Sequence, residues 1–157
     1  MLVDEGRIVG VLLLETGTDL RVGKLELATA AGLLTLHPEG AALHGNIVRP
    51  AGIEHIERPW AEDHLLLVVG TPATAAAAAR RLTTRGGVGE GHTFVGVSVD
   101  VELAVTPATF RVVRPAEERW RFVQADRGFE TAVTLDADGI PRLLDAASWP
   151  LERHEHA

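Results

Sequence analysis

Residues 95–114 read "VGVSVDVELAVTPATFRVVR", and their pattern points to the class of fold. Val97, Val99, Val101, Leu103 and Val105 alternate with small or charged residues, the period of a strand with one buried face. "TFRVVR" follows after "TPA". A register opposing Val105 to Phe110 and Leu103 to Val112 puts all four side chains on one face and predicts a hairpin. Asp100 and Glu102 then point outward, with Arg111 on the neighbouring strand as an ion-pair partner. Pro107 suits the primed two-residue turns poorly, so a longer loop is expected there.

Downstream, "RWRFVQ" and "FETAVTLD" alternate as well, with Trp120 and Phe122 on one side and Phe129, Thr131, Val133 and Leu135 on the other. The turn residues "ADRG" between them predict a second hairpin. Upstream, "RIVGVLLL", "LRVGKLEL", "GLLTLH", "ALHGNIVR" and "HLLLVV" read as strands separated by "ETGTD", "ATAAG", "PEG" and "RPAG", all turn chemistry. The apolar phase of "LRVGKLEL" switches from Leu20 and Val22 to Leu25 and Leu27, which makes Gly23 a candidate β-bulge. One helix stands out, "PATAAAAARRLTTR", residues 72–85, with Thr71 as N-cap, Pro72 at the first helical position and Gly86 as terminator. Its alanines suit close packing on a sheet. The fold class that follows is mainly β: a curved antiparallel sheet, roll or barrel-like, with one helix packed against it.

A chain of 157 residues, 46% hydrophobic and 24% charged, is expected to form a single domain over residues 1–157 with a frayed C-terminal end. The absence of cysteine removes disulfides, thiolate metal sites and cysteine nucleophiles. No signal peptide or membrane-length apolar run is visible, and a cytoplasmic location is the default expectation. A formal charge of −7 opposes nucleic-acid binding, the one dense basic cluster being Arg80, Arg81 and Arg85.

Chemistry-bearing motifs are sparse. Four of the seven histidines, His37, His44, His55 and His64, fall within residues 37–64. None has the two- or four-residue spacing that aims imidazoles from one strand or helix at one ion, so no metal site is expected. His154 and His156 have strand spacing but sit at the terminus. "VVGTPATAAAAARRL" has the strand–glycine–helix layout of a dinucleotide-binding unit, but Pro72 stands where the middle glycine is needed. "RGGVGEGH" follows a helix instead of opening one, and reads as a loop. "LDADG" lacks the length and the terminal glutamate of a calcium loop and reads as a turn. Ser98 and Ser148, the two serines, lie outside any nucleophile elbow.

"VDVELAVTPATFRVVR" resembles the "DxDL..TPxTN.LPIRR" signature of the glycolipid-binding β-roll family. "RWRFVQADRGFETAVTLDADGIPRL" is similar to that family's closing strands. The likeness spans about a third of the chain. Phe110 replaces the signature's asparagine, the Leu-Pro-Ile is absent, and the gap between the two segments is shorter. The resemblance implies an antiparallel roll around an apolar groove, a binding role without catalysis, and Asp100, Glu102, Thr106 and Thr109 as matching polar residues.

Three function classes follow. The first is a non-catalytic binding module for an apolar or amphipathic, lipid-like small ligand, without cofactor or metal. Its candidate site residues are Trp60, His64, Asp100, Glu102, Arg111, Trp120 and Trp149, because tryptophans and a few polar groups line such pockets. The second is a structural or interaction domain, such as a homodimer, marked by an apolar patch or an open sheet edge. The third is a metal-dependent or acid/base enzyme using residues 37–64 or the Asp100 and Glu102 carboxylates.

Overall fold

A computed structural model describes residues 2–83 and 91–142. Its first sheet is an antiparallel meander in chain order: β1 (Leu2–Asp4), β2 (Arg7–Thr16), β3 (Val22–Thr29), β4 (Gly32–Glu39), β5 (Ala42–Arg49) and β6 (Gly52–Pro59). Its turns are short, and the turn into β2 puts both Glu5 (φ 46°) and Gly6 (φ 76°) in the left-handed region, as primed hairpin turns require. Gly23 is a bulge, since Glu15 opposes Lys24 while Thr16 opposes Val22. The strand β6 escaped the sequence reading. Only Ile56 of its eight residues is buried, so it lacks the apolar alternation that identifies a strand.

The second sheet comprises β7 (Leu65–Val68), β8 (His92–Val99), β9 (Val105–Ala116), β10 (Arg119–Gln124), β11 (Phe129–Leu135) and β12 (Pro141–Arg142), and runs from β12 to β7 in reverse chain order. All its pairings are antiparallel except β7 with β8, which are parallel. The helix α1 (Ala73–Thr83) lies between those two strands in sequence. Thr71 Oγ1 accepts the Ala73 N–H at 3.2 Å, the N-cap expected from sequence; residues 84–86, including the expected terminator, lie outside the described residues.

Three layers result. Leu25, Leu27, Leu34, Leu36, Leu43, Ile47 and Ile56 of the first sheet pack on Leu66, Val68, Val97, Val99 and Val105 of the second. The opposite face of the second sheet carries Leu65, Leu67, Phe110, Val112, Trp120, Phe122, Val133 and Leu135 against Ala75, Ala76, Ala78, Ala79 and Leu82 of α1. Consecutive residues of β7 thus serve two different cores. This explains its unbroken "LLLV", as in any strand buried on both faces. The fold is the mainly β, curved, one-helix architecture read from sequence, with one sheet curled into a half-barrel.

The deciding hairpin turns in a different place. The strand read through Val105 stops at Val99, which opposes Val105, while Pro107 opposes Val97 and lies within β9. Val105–Phe110 and Leu103–Val112 are therefore not pairs. Asp100 Oδ1 accepts the backbone N–H groups of Glu102 and Ala104, both at 3.0 Å. Leu103 enters the core at φ 66°. One side chain that gathers two backbone donors outweighs a continued valine alternation, because Asx capping closes a turn locally. Val101, expected inward, is 37% exposed. Asp100 and Glu102 are turn residues and not an outward strand pair, and Arg111 lies on β9 opposite Thr93.

Two outcomes follow for chemical denaturation. Asp100→Ala is expected to lower stability by about 1–2 kcal/mol through its two orphaned N–H groups. Glu102→Ala, whose side chain is exposed, should stay within about 0.5 kcal/mol of the parent.

Candidate functional site

Three concavities bear on function. The largest, about 560 Å³, lies on the second sheet and is lined by Thr93, Val95, Pro107, Thr109, Arg111 and Val123, with Ala125 and Asp126 at one end. Register builds it: Thr93 opposes Arg111, Val95 opposes Thr109, and Val123 opposes Arg111 from the other side. Alternation places Val95 on the same face as Val97 and Val99, yet Val95 is 54% exposed while those two are buried under the first sheet. The groove is the part of this face that the first sheet leaves uncovered.

Its electrostatics are simple. On β10, Arg121 makes a bidentate pair with Glu130, Nε to Oε1 at 2.7 Å and Nη2 to Oε2 at 2.9 Å. That hydrogen bonding holds the Glu130 carboxyl below its ordinary pKa and raises that of Arg121. Arg111 has no such partner among the described residues. Its guanidinium lies along Gly91, where an added Cβ would come within 2.7 Å of Nε, so glycine leaves room for the cation to lie flat at the groove wall.

The second concavity, about 160 Å³, sits where the first sheet, α1 and the approach to β7 meet, and includes Leu20, Arg21, Trp60, Glu62, His64, Thr74 and Arg81. It unites two sequence candidates. The Trp60 and His64 rings meet edge to face at 5.5 Å, and His64 Nδ1 is buried without a hydrogen-bond partner among the described residues. Its cations are engaged: Arg21 pairs with Asp19 at 3.1 Å and Glu62 at 3.0 Å, and Arg81 donates to the Glu62 carbonyl. The volume is small beside the roughly 300–1,000 Å³ of ligand pockets.

The third, about 220 Å³, is a shallow depression on the outer face of the first sheet, lined by His37, His44, Asn46, His55 and Glu57. The hairpin register sets His37 opposite His44, with ring centroids 6.1 Å apart. His55 Nδ1 lies 2.5 Å from Asn46 Oδ1. Three histidines unrelated by spacing along the chain thus converge, and His64 stands apart from them. A signal was present in the sequence: His37 and His44 lie symmetrically about the Gly40–Ala41 turn. Among the described residues no group of three or more His, Asp or Glu side chains is arranged to hold a metal ion.

The remaining sequence candidates scatter. Trp120 is a core residue, 4% exposed, with the Arg114 guanidinium 4.9 Å from its ring centroid, so it lines no groove. Asp100 and Glu102 close their turn, and Trp149 lies outside the described residues. Sequence reasoning therefore named Arg111 of the largest groove, and Thr109 through the family resemblance, and missed Val95, Pro107 and Val123. Val95 and Val123 read as strand residues and Pro107 as part of a loop, and nothing local showed that the covering sheet would stop short of them.

No protein-family model matches the chain, and no curated protein matches it. Among solved structures the fold is similar to that of a DUF1089 family protein from Pseudomonas aeruginosa, with a TM-score of 0.52 and 11% identity over 84% of this chain and 85% of that one. At this identity the likeness concerns the fold. No helix among the described residues is long and apolar enough to cross a membrane.

Untagged protein subjected to elemental analysis is expected to carry no stoichiometric transition metal. About one equivalent, lost together with thermal stability on chelation, would contradict the geometry of the histidine depression.

Proposed function

We propose that this protein is a non-catalytic binding module for an amphipathic small molecule, seated in the groove over Val95, Pro107 and Val123 with its anionic end at Arg111. The observation that carries this reading is the change along β8 from buried Val97 and Val99 to exposed Val95 on one face. Apolar surface that the fold leaves open, concave and beside a cation with no carboxylate partner among the described residues matches the make-up of a ligand site: apolar walls and a few polar groups that fix orientation. The volume of about 560 Å³ falls within the usual range for such sites.

The resemblance to the glycolipid-binding β-roll family points the same way, and Thr109, one of its matching polar residues, lies in this groove. Catalysis finds less support. The carboxylate named as an acid/base candidate, Asp100, spends its Oδ1 on two backbone donors.

Titration with a dansylated fatty acid tests the reading through its fluorescence. Saturable binding is expected, weakened about tenfold or more by Arg111→Glu, since a charge-assisted contact becomes a repulsion. Val95→Trp should fill the groove and abolish binding without changing the fold. Absence of saturable binding, or indifference to both substitutions, would sink the proposal.

A further inference from the structure

The first sheet ends on β6, an eight-residue strand with nothing paired to its outer side among the described residues. Trp60 N–H donates to Ala41 O at 2.9 Å, which fixes the phase of the ladder. Even-numbered residues of β6 turn their backbone groups toward β5, and Ile53, His55, Glu57 and Pro59 turn theirs outward. Pro59 therefore lacks its N–H where no bond to β5 is lost, as proline on an edge strand should. Side chains alternate the other way: Glu54, Ile56 and Arg58 share the inner face with Ile47 and Leu43, and Ile53, His55 and Glu57 share the outer face with Val48, Asn46 and His44.

Read about Ile56, the strand is Glu54-His55-Ile56-Glu57-Arg58. Residues equidistant from Ile56 are complementary: Glu54 with Arg58, and His55 with Glu57. Among the described residues neither Glu54 nor Arg58 forms an ion pair, and Arg58 donates to the carbonyls of Glu57 (2.9 Å) and Val105 (3.5 Å).

We propose that β6 pairs antiparallel with β6 of a second copy of this chain, Ile56 opposite its own equivalent, so that the first sheet runs unbroken across a two-fold axis. Glu54 then faces the partner's Arg58 on the inner face, and His55 faces the partner's Glu57 on the outer face. The outward N–H and C=O groups of His55 exchange hydrogen bonds with those of the partner's Glu57, and the reverse pair does the same. Ile56 meets the partner's Ile56 and joins the two inner cores.

The neighbouring registers are excluded by their contents. A slip in one direction sets Glu57 against the partner's Glu57 and Ile56 against the partner's Arg58. A slip in the other sets His55 against the partner's His55 and Glu54 against the partner's Ile56. Directly opposed like charges destabilise a ladder and opposed unlike charges support it, so the self-complementary pattern selects one register and one occupant. The other sheet edges are shorter, β1 with three residues, β7 with four and β12 with two.

Sedimentation velocity on the wild-type chain across a concentration series should show a monomer–dimer equilibrium. Glu54→Arg and Arg58→Glu, each alone, should weaken it by about tenfold or more, because each sets like charges opposite one another at two places. The double variant Glu54→Arg/Arg58→Glu, and an equimolar mixture of the two single variants, should dimerise again. His55→Pro, which removes an outward N–H and leaves the bonds to β5 intact, should give a monomer with an unchanged circular dichroism spectrum. A wild-type chain that stays monomeric throughout, or a dimer indifferent to single charge reversal, would overturn the proposal. Neither result touches the groove at Arg111, which fatty-acid titration reads separately.

Discussion

The second sheet is buried on both faces, and the other two layers are held in place by that burial. An all-polar face on β7 or β8 would have released either the helix or the first sheet. The continuous apolar run of β7 and the buried second half of β8 require cover on both sides, because each uncovered aliphatic side chain forgoes about 1.5–3 kcal/mol. The alanines of α1 and the leucines of β3 to β5 supply the two covers. They differ in kind: small residues let the helix approach closely, while large ones interdigitate between sheets. At Gly96 the chain allows no side chain at all, since an added Cβ would lie 1.8 Å from the Leu65 carbonyl oxygen of the parallel neighbour.

Cover that is complete in the middle and absent at one end leaves an open groove on the second sheet. The first sheet shields β7, the second half of β8 and the start of β9. Beyond it the same face carries Thr93, Val95, Thr109 and Arg111, a mixture neither polar enough for a purely solvated surface nor apolar enough for a core.

Much of the fold was legible because alternation is a local signal. The bulge at Gly23, the cap at Thr71 and the hairpin closed by Gly128 at φ 63° all rest on residues within a few positions of one another. The errors arose where one side chain or a distant element decided. Asp100 ended a strand that valine periodicity would have continued, and Val101 followed the turn outward. The strand β6 was unreadable because a single residue, Ile56, reaches the core from this edge, and one apolar position makes no alternation. The histidine depression depended on hairpin register, and the groove on how far a separate sheet extends. Neither quantity is written in any short window of sequence.

The connectivity of the two sheets also sets the order in which they can assemble. Neighbours in the first sheet are successive in the chain, joined by a five-residue turn between β2 and β3 and by two-residue turns elsewhere, as at Ala30–Ala31, Gly40–Ala41 and Pro50–Ala51, so their closure entropy is small and hairpin formation takes only about 1–10 μs. The parallel partnership of β7 with β8 must instead await a crossover that includes α1, and non-local closure of this kind slows folding. The leucines on the inner face of the meander have nothing to pack against until that closure is made. An early folding species would therefore present a formed sheet with its future core still wet, and the β7–β8 closure is the step that dries both faces at once.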